Sequence, residues 1–207
     1  MKALLINGSP HLNGCTKRAL LEVEKVLKEK GIETDWIEFG TKEVRGCIGC
    51  YYCMQHHKCV FNDIVNESVQ LFNNADAVII GTPVYYAGPN GSLHSFLDRL
   101  FFSTIFSVNK TMKVGATVIS SRRAGSTSAF DDINKYFTIS SMPIASSTYW
   151  NEVHGRTYEE VEQDLEGLQT MRNLANNISF LVKAIKNQKE IEGIPQQEKN
   201  VSTNFIR

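Results

Sequence analysis

Short apolar segments, each followed by a polar loop and then by a helix-spaced pattern, recur along this chain of 207 residues. The segments lack polar alternation, which is typical of strands buried on both faces of a parallel sheet. We predict strands at about 3–6, 32–39, 76–81, 112–120 and 143–149, and helices at about 16–30, 62–72, 92–101, 128–137 and 158–185. This succession predicts an α/β fold, a three-layer sandwich around a parallel sheet.

The strand order decides which loops lie together. Open parallel sheets bind ligands at the carboxyl ends of their strands, where the strand order reverses. For five strands the order 2-1-3-4-5 is the natural candidate, and it places the loops after strands one, three and four side by side. These loops, at residues 9–16, 82–87 and 121–126, are rich in glycine, proline, hydroxyl and aromatic residues. The sequence therefore predicts one cofactor pocket between them.

The first of these loops joins a buried strand to the N-terminus of a helix. Backbone N–H groups and the helix dipole at such a point favour an anion. The loop lacks the GxGxxG pattern of dinucleotide sites. It also differs from a Walker motif, because Cys15 stands where the phosphate-binding lysine belongs. A neutral set of hydroxyls and amides suits a terminal monophosphate such as that of FMN, and an ordinary serine-capped turn is the alternative. The predicted phosphate contacts are Ser9, His11, Asn13, Gly14, Cys15 and Thr16.

The other two loops have residues suited to the isoalloxazine ring of FMN. Pro83 and Val84 would fix the backbone against one ring edge, and Tyr85 or Tyr86 offers a flat stacking surface. A pair of arginines would place positive charge near N1 and O2 of the ring. The alternatives are a simply packed turn and a solvated pair of arginines. The predicted ring contacts are Thr82, Pro83, Val84, Tyr85, Tyr86, Ala87, Ser121, Arg122, Arg123 and Gly125.

Four cysteines form the other pattern with chemical meaning. They follow the spacing CxxCxxC, with a fourth cysteine after five more residues: Cys47, Cys50, Cys53 and Cys59. Four thiolates so spaced are able to bind a [4Fe–4S] cluster. Two alternatives stay open, namely thiols without metal and a zinc ion held by the four cysteines, or by three of them with His56 or His57.

Several segments resemble the NADPH-dependent FMN reductase branch of the flavodoxin-like superfamily. They are GSP at 8–10, NGCT at 13–16, GTPVYY at 81–86 and FLDR at 96–99, and the cysteine cluster adds similarity to its iron-sulfur flavoproteins. The likeness runs from residue 2 to at least 150, and the ending TNFIR at 203–207 is also similar. It implies a flavodoxin-like five-stranded parallel sheet, non-covalent FMN reduced by NAD(P)H, and a homodimer or homotetramer with the flavin near a subunit interface.

Two residues depart from the family's pattern. His11 stands where the family often has arginine, and Cys15 where asparagine, serine or aspartate is usual. The departures imply weaker phosphate affinity than is typical, and a loop sensitive to oxidation at Cys15.

Composition limits the classes of partner. Lysine plus arginine and aspartate plus glutamate number 22 each, so the net charge is zero. A chain with this charge balance lacks the excess of basic residues that is typical of a nucleic-acid-binding protein. No stretch approaches the roughly 20 apolar residues of a membrane span, and the start is unlike a signal peptide. We predict a cytoplasmic protein with neither kind of partner. One domain should cover 1–186, with a cysteine-rich insertion at about 46–60 and a tail at 187–207 that packs on a neighbouring subunit.

These features predict an FMN-dependent oxidoreductase. Electrons would pass from NAD(P)H through FMN to a small-molecule electron acceptor such as a quinone or a flavin, and no side chain need act as acid or base. An alternative is an iron-sulfur flavoprotein that carries electrons between FMN, a [4Fe–4S] cluster and protein partners. A third is a regulatory flavoprotein whose ligand only stabilises it.

Overall fold

A parallel sheet between two layers of helices forms the body of the protein. The computed structural model describes residues 1–198, 201–203 and 205. The strands are β1 (Lys2–Asn7), β2 (Glu33–Glu38), β3 (Ala77–Tyr85), β4 (Gly88–Pro89), β5 (Val114–Ser121) and β6 (Glu152–His154). The helices are α1 (Cys15–Glu29), α2 (Tyr52–His56), α3 (Ile64–Asn74), α4 (Gly91–Ser103), α5 (Ser126–Ile139), α6 (Tyr158–Gln163) and α7 (Leu165–Glu192).

The strand order confirms the predicted topology. The sheet runs β2-β1-β3-β5-β6 with all neighbours parallel, while β4 pairs antiparallel with the end of β3. Counted over the parallel strands alone, this is the predicted order 2-1-3-4-5.

Two apolar cores, one on each face, explain why the strand segments lack polar alternation. Leu5 of β1 and Ile79 of β3 pack with α1 and α7, whereas Leu4 and Ile80 pack with α3, α4 and α5. Successive side chains of a strand point to opposite faces, so both sets of positions must be apolar.

The predicted fifth strand at 143–149 is wrong. Only an isolated bridge between Gly115 and Ile144 occurs there, and the edge strand is β6. Ser147 explains the break, because its hydroxyl bonds to the carbonyl of Tyr149 and to Oδ1 of Asn151. Such local side-chain bonds compete with ladder pairing.

The predicted helix at 158–185 is divided in two and ends later than expected. Asp164 separates α6 from α7, and its carboxylate accepts hydrogen bonds from the N–H groups of His154 and Gly167. Helix α7 continues to Glu192, so the predicted boundary at 186 falls inside it.

The tail is described only in part. Residues 201–203 and 205 are exposed, while Asn204, Ile206 and Arg207 of the TNFIR ending lie outside the described residues. Its packing on a neighbouring subunit stays a prediction. No helix in the described part of the chain combines the length and hydropathy needed to cross a membrane.

The segment after α4 buries a lysine whose titration gives a testable pH dependence. Nζ of Lys110 donates to the carbonyl of Thr104 at 2.8 Å. Burial, with the charge of Lys113 as a smaller cause, lowers the pKa of Lys110 from 10.5 to about 8. Between these values the folded state holds the amine neutral while the unfolded state holds it charged. The unfolded state then binds more protons, so this contribution to the free energy of unfolding rises with pH.

We therefore expect the wild type to gain about 1–2 kcal/mol relative to Lys110→Met between pH 8 and pH 10. Urea unfolding of both proteins at the two pH values measures this difference. The lost hydrogen bonds of the variant shift its curve by a constant amount, so only the change with pH reports the titration. Parallel stability curves would contradict the assignment.

Candidate functional site

One backbone bond extends the pairing of β1 with β3 beyond the end of β1. The N–H of Gly8 donates to the carbonyl of Gly81 at 2.8 Å. A Cβ on Gly8 would lie 2.9 Å from that oxygen and 2.7 Å from Cδ2 of Leu93. The approach therefore requires glycine, and it brings the loop after β1 against the end of β3.

Two further contacts bring the loop after β5 to the same edge. The buried hydroxyls of Thr16 and Ser120 share a hydrogen bond of 2.8 Å, which joins the start of α1 to β5. Gly125 has φ of +90°, and a Cβ there would lie 2.8 Å from Cα of Ala87. The structure thus brings together the three loops that the sequence singled out.

The loop after β1 is held mainly by its own atoms. The N–H of Ser9 donates to Oδ1 of Asn7, and the Ser9 hydroxyl accepts from the N–H of His11, both at 3.1 Å. The N–H of Gly14 donates to the carbonyl of His11. His11 and Asn13 are exposed. Ser9 therefore shapes the turn, while the side chains of His11 and Asn13 face solvent.

The backbone N–H groups at the N-terminus of α1 receive no side-chain cap from the described residues. Gly14 occupies the N-cap position, and in the described structure no side chain caps this end and no acidic residue lies in its first turn. The first N–H groups of the helix therefore keep their capacity to bind an anion.

The Cys15 thiol bonds to backbone carbonyls, so it is not available to an anion at the start of α1. Its thiol donates to the carbonyls of Gly155 and Thr157, at 3.4 and 3.3 Å. Burial, followed by smaller effects of Glu160 and Glu159, raises the pKa of Cys15. A protonated thiol oxidises slowly, so this geometry disfavours the expected oxidation sensitivity.

The loop after β3 is shorter than predicted, because β3 continues to Tyr85 and not only to Gly81. Beyond it, Tyr86 and Ala87 adopt positive φ angles of 49° and 60° and turn the chain into β4. A strand of two residues has no periodicity to detect, so the sequence missed β4. The Thr82 hydroxyl is buried and accepts from the N–H of Asn90. Thr82 therefore holds this hairpin, with Pro83 and Val84 half-buried and both tyrosine rings exposed.

The end of β5 presents a hydroxyl and two positive charges. The Ser121 side chain is buried, yet its Oγ has no hydrogen-bond partner among the described residues. Arg122 and Arg123 are exposed, and within the described ranges neither forms an ion pair. A buried hydroxyl without a partner is costly unless a ligand satisfies it. Ser121 therefore offers a hydroxyl donor, and Arg122 and Arg123 offer positive charge, which suit the polar edge of FMN.

The four motif cysteines line one small cavity, together with Arg99. All four are free thiols, and all four precede α3, with Cys53 inside α2. Within the described residues no three Cys, His, Asp or Glu side chains are arranged to hold a metal ion. Among the described residues, neither His56 nor His57 lines this cavity. The lining thus gives no support to a zinc site that uses a histidine, whereas four thiols around one cavity are a donor set that suits a cluster or a zinc ion held by four cysteines.

Cys59 is fixed by the fold itself. Oδ1 of Asn66 accepts from the N–H of Cys59, and Nδ2 donates to its carbonyl, both at 2.9 Å. Nε of Arg99 donates to the Cys59 sulfur at 3.2 Å. Sequence reasoning missed Asn66, and it named Arg99 only within the FLDR segment, with no role at the cysteine site. The available signal for Arg99 was a charged residue three positions after Phe96, on the apolar face of α4.

Burial also acts on Cys53. It raises the pKa of that thiol, with smaller contributions from the other three motif cysteines.

Known proteins share both the sequence pattern and the fold. Residues 1–156 match the family model described as NADPH-dependent FMN reductase. An iron-sulfur flavoprotein of Methanocaldococcus jannaschii is 33% identical over 196 residues, which cover 90% of this chain and 100% of that protein. An iron-sulfur flavoprotein of Methanosarcina thermophila is 26% identical over 92% of this chain and 100% of its own length.

A solved structure gives the same answer for the fold. A flavodoxin from the domain Archaea superposes with a TM-score of 0.60 at 18% identity, covering 88% of this chain and 99% of that one. At this identity the likeness concerns the fold, which is flavodoxin-like. From the family match and the relatives together, the chain belongs to the NADPH-dependent FMN reductase family.

Proposed function

We propose that this protein is an FMN-dependent oxidoreductase that couples oxidation of NADPH or NADH to reduction of a small acceptor such as a quinone or a flavin. The observation that carries the proposal is the carboxyl edge of the sheet, where three loops meet around a helix N-terminus and a Ser121 hydroxyl that no side chain of the described residues caps or bonds. When bound, FMN supplies the redox chemistry. The residues bind and orient it.

The phosphate group would lie at the start of α1. The first N–H groups of the helix are available there, and the Ser9 turn positions them. The exposed side chains of His11 and Asn13 add donors at the rim. The Thr16 hydroxyl supports the helix start through Ser120, and Gly14 leaves room for the ligand because it has no side chain.

The ring would lie between the ends of β3 and β5. The Ser121 hydroxyl gains a partner there, and Arg122 and Arg123 place positive charge at the edge of the ring that becomes negative on reduction. Tyr85 and Tyr86 have exposed rings on the opposite loop and offer flat apolar surface. No proton transfer by a side chain is needed at these positions.

Anaerobic flavin titration followed by rapid mixing tests this proposal. We expect the protein to bind FMN stoichiometrically and the flavin absorbance to bleach on mixing with NADPH or NADH. Added quinone should restore the absorbance, with NAD(P)H oxidised to NAD(P)⁺ and the quinone reduced to hydroquinone. Failure to bind flavin after incubation with excess FMN would contradict the proposal.

A second candidate is an electron carrier in which a [4Fe–4S] cluster accompanies FMN. It is favoured by the single cavity that Cys47, Cys50, Cys53 and Cys59 line, and by relatives that are named iron-sulfur flavoproteins. Bound there, a cluster would exchange single electrons with protein partners. Slow bleaching by NAD(P)H beside fast reduction by a reduced protein donor would favour this candidate over the reductase.

Iron analysis of cysteine variants tests the ligand set. We expect about four irons per chain in anaerobically purified wild type, because a cubane cluster contains that number. Cys59→Ser should lose most of this iron, since one iron loses its protein ligand. Cys15→Ser is the matched control, because Cys15 lies outside the cavity. Equal iron in both variants, or none in the wild type, would contradict the cluster.

A further inference from the structure

A buried arginine lies beneath the cysteine cavity. The Arg99 side chain is 1% exposed, and its guanidinium lines the cavity beside Cys59. An arginine is seldom buried without a partner, because desolvation of its charge is costly. The hydrogen bonds of Arg99 must therefore compensate the cost of burying its charge.

The guanidinium divides its donors between a carboxylate and the cysteine segment. Two nitrogens donate to the two oxygens of Asp63, both at 2.8 Å, in the bidentate geometry of strong pairs. One of them also donates to the carbonyl of Arg45 at 3.1 Å. The remaining Nε–H donates to the Cys59 sulfur at 3.2 Å. Asp63 thus holds the guanidinium so that one donor points at a motif sulfur.

Asp63 is itself fixed by secondary structure. Its carboxylate caps α3 by accepting from the N–H of Val65 at 3.1 Å, and its side chain is 30% exposed. The ring of Phe61 lies 5.0 Å from the guanidinium carbon and covers one side of the pair. The positive charge nearest the cavity is therefore the better shielded of the two, and the negative charge is the more hydrated.

We propose that Arg99 is a positioning residue for the cysteine-bound cluster, and that the Arg99–Asp63 pair sets the cluster's reduction potential with opposite contributions from its two members. This inference rests on the proposed cluster. One-electron reduction adds a negative charge near Arg99. A hydrogen bond to a ligand sulfur and a nearby buried cation both stabilise that state and raise the potential. The carboxylate of Asp63 opposes them.

Potentiometric titration of the anaerobic holoprotein, followed by electron paramagnetic resonance, tests the inference. Arg99→Gln removes the charge, and we expect the reduced-to-oxidised ratio at a fixed potential to fall about tenfold, or about 59 mV for a one-electron couple. Asp63→Asn keeps an oxygen for the α3 cap but removes the opposing charge, so its midpoint should move the opposite way. Arg99→Lys keeps the charge and should fall between Arg99→Gln and wild type.

Lys42→Gln is the matched control, because Lys42 is an exposed cation on the segment before the cysteines and, among the described residues, its side chain bonds to neither Arg99 nor Asp63. We expect its midpoint to stay at the wild-type value. A purely structural role for Arg99 would shift both pair variants in the same direction, or would change iron content alone, and either result overturns the inference. If Arg99→Gln cannot hold iron, the opposed shifts of Asp63→Asn and Arg99→Lys still decide it. Wild type without iron would remove the cluster and this inference together, whereas wild type with iron and unshifted variants would remove only the inference.

Discussion

The Gly125→Ala variant is expected to bind FMN between tenfold and a hundredfold more weakly than the wild type. The backbone at Gly125 has φ of +90°, and the added Cβ would lie 2.8 Å from Cα of Ala87 and 3.0 Å from Cγ1 of Val84. A side chain at such a φ costs about 1–3 kcal/mol, and each 1.4 kcal/mol corresponds to about tenfold in affinity. The loops after β3 and β5 must separate, and the predicted ring contacts separate with them.

Quenching of flavin fluorescence by the apoprotein measures this effect. Gly88→Ala is the matched control in the same hairpin, because its Cβ would make only ordinary contact with the carbonyl of Tyr85 at 3.6 Å. We expect the FMN affinity of Gly88→Ala to stay within about threefold of wild type, which is a change in binding free energy of less than about 1 kcal/mol. Equal affinities of the two variants would show that contact between the loops is unimportant for flavin binding.

The Gly115→Ala variant is expected to lose about 1–3 kcal/mol of unfolding free energy. Gly115 lies in β5, and its Cβ would be 2.5 Å from Cγ of Phe137 and 2.7 Å from Cδ1. Phe137 is fully buried, so its ring has no open space to enter. The sheet or α5 must shift, which strains the core on that face. Urea unfolding of the apoprotein measures the loss.

Two companion variants separate overpacking from a general intolerance of alanine. Gly91→Ala adds the same methyl at the first residue of α4, where a Cβ would meet nothing within 4 Å, so we expect no loss. Gly115→Ala combined with Phe137→Leu should lose less than the sum of the single losses, because the smaller side chain leaves room. Additive losses would indicate that the Phe137 ring is not the obstacle.

The architecture was predictable because it depends on short-range signals that agree with one another. The buried segments around Leu5 and Ile79 read as strands, and parallel connections permit few orders. The three converging loops followed from that order alone. The fifth strand failed because a local network around Ser147 outweighed its apolar content.

The site's interior was less predictable, because its contacts join residues far apart in sequence. Arg99 meets Asp63 across 36 positions and Cys59 across 40, and neither spacing leaves a periodic signal. The Thr16 hydroxyl was predicted as a phosphate contact, yet it pairs with Ser120 across 104 positions. Residue type indicated polar chemistry at these positions, and only the fold decides which partner each group has.

The Asn66 clamp on Cys59 changes how the cysteine motif should be recognised in other chains. The fourth sulfur is located by the start of α3, where one amide side chain holds the Cys59 backbone from both sides and also the carbonyl of Phe61. The number of residues after Cys53 is therefore not what places it. A search pattern with a variable gap before the fourth cysteine, and an asparagine seven positions after it, would detect homologues that a fixed spacing overlooks.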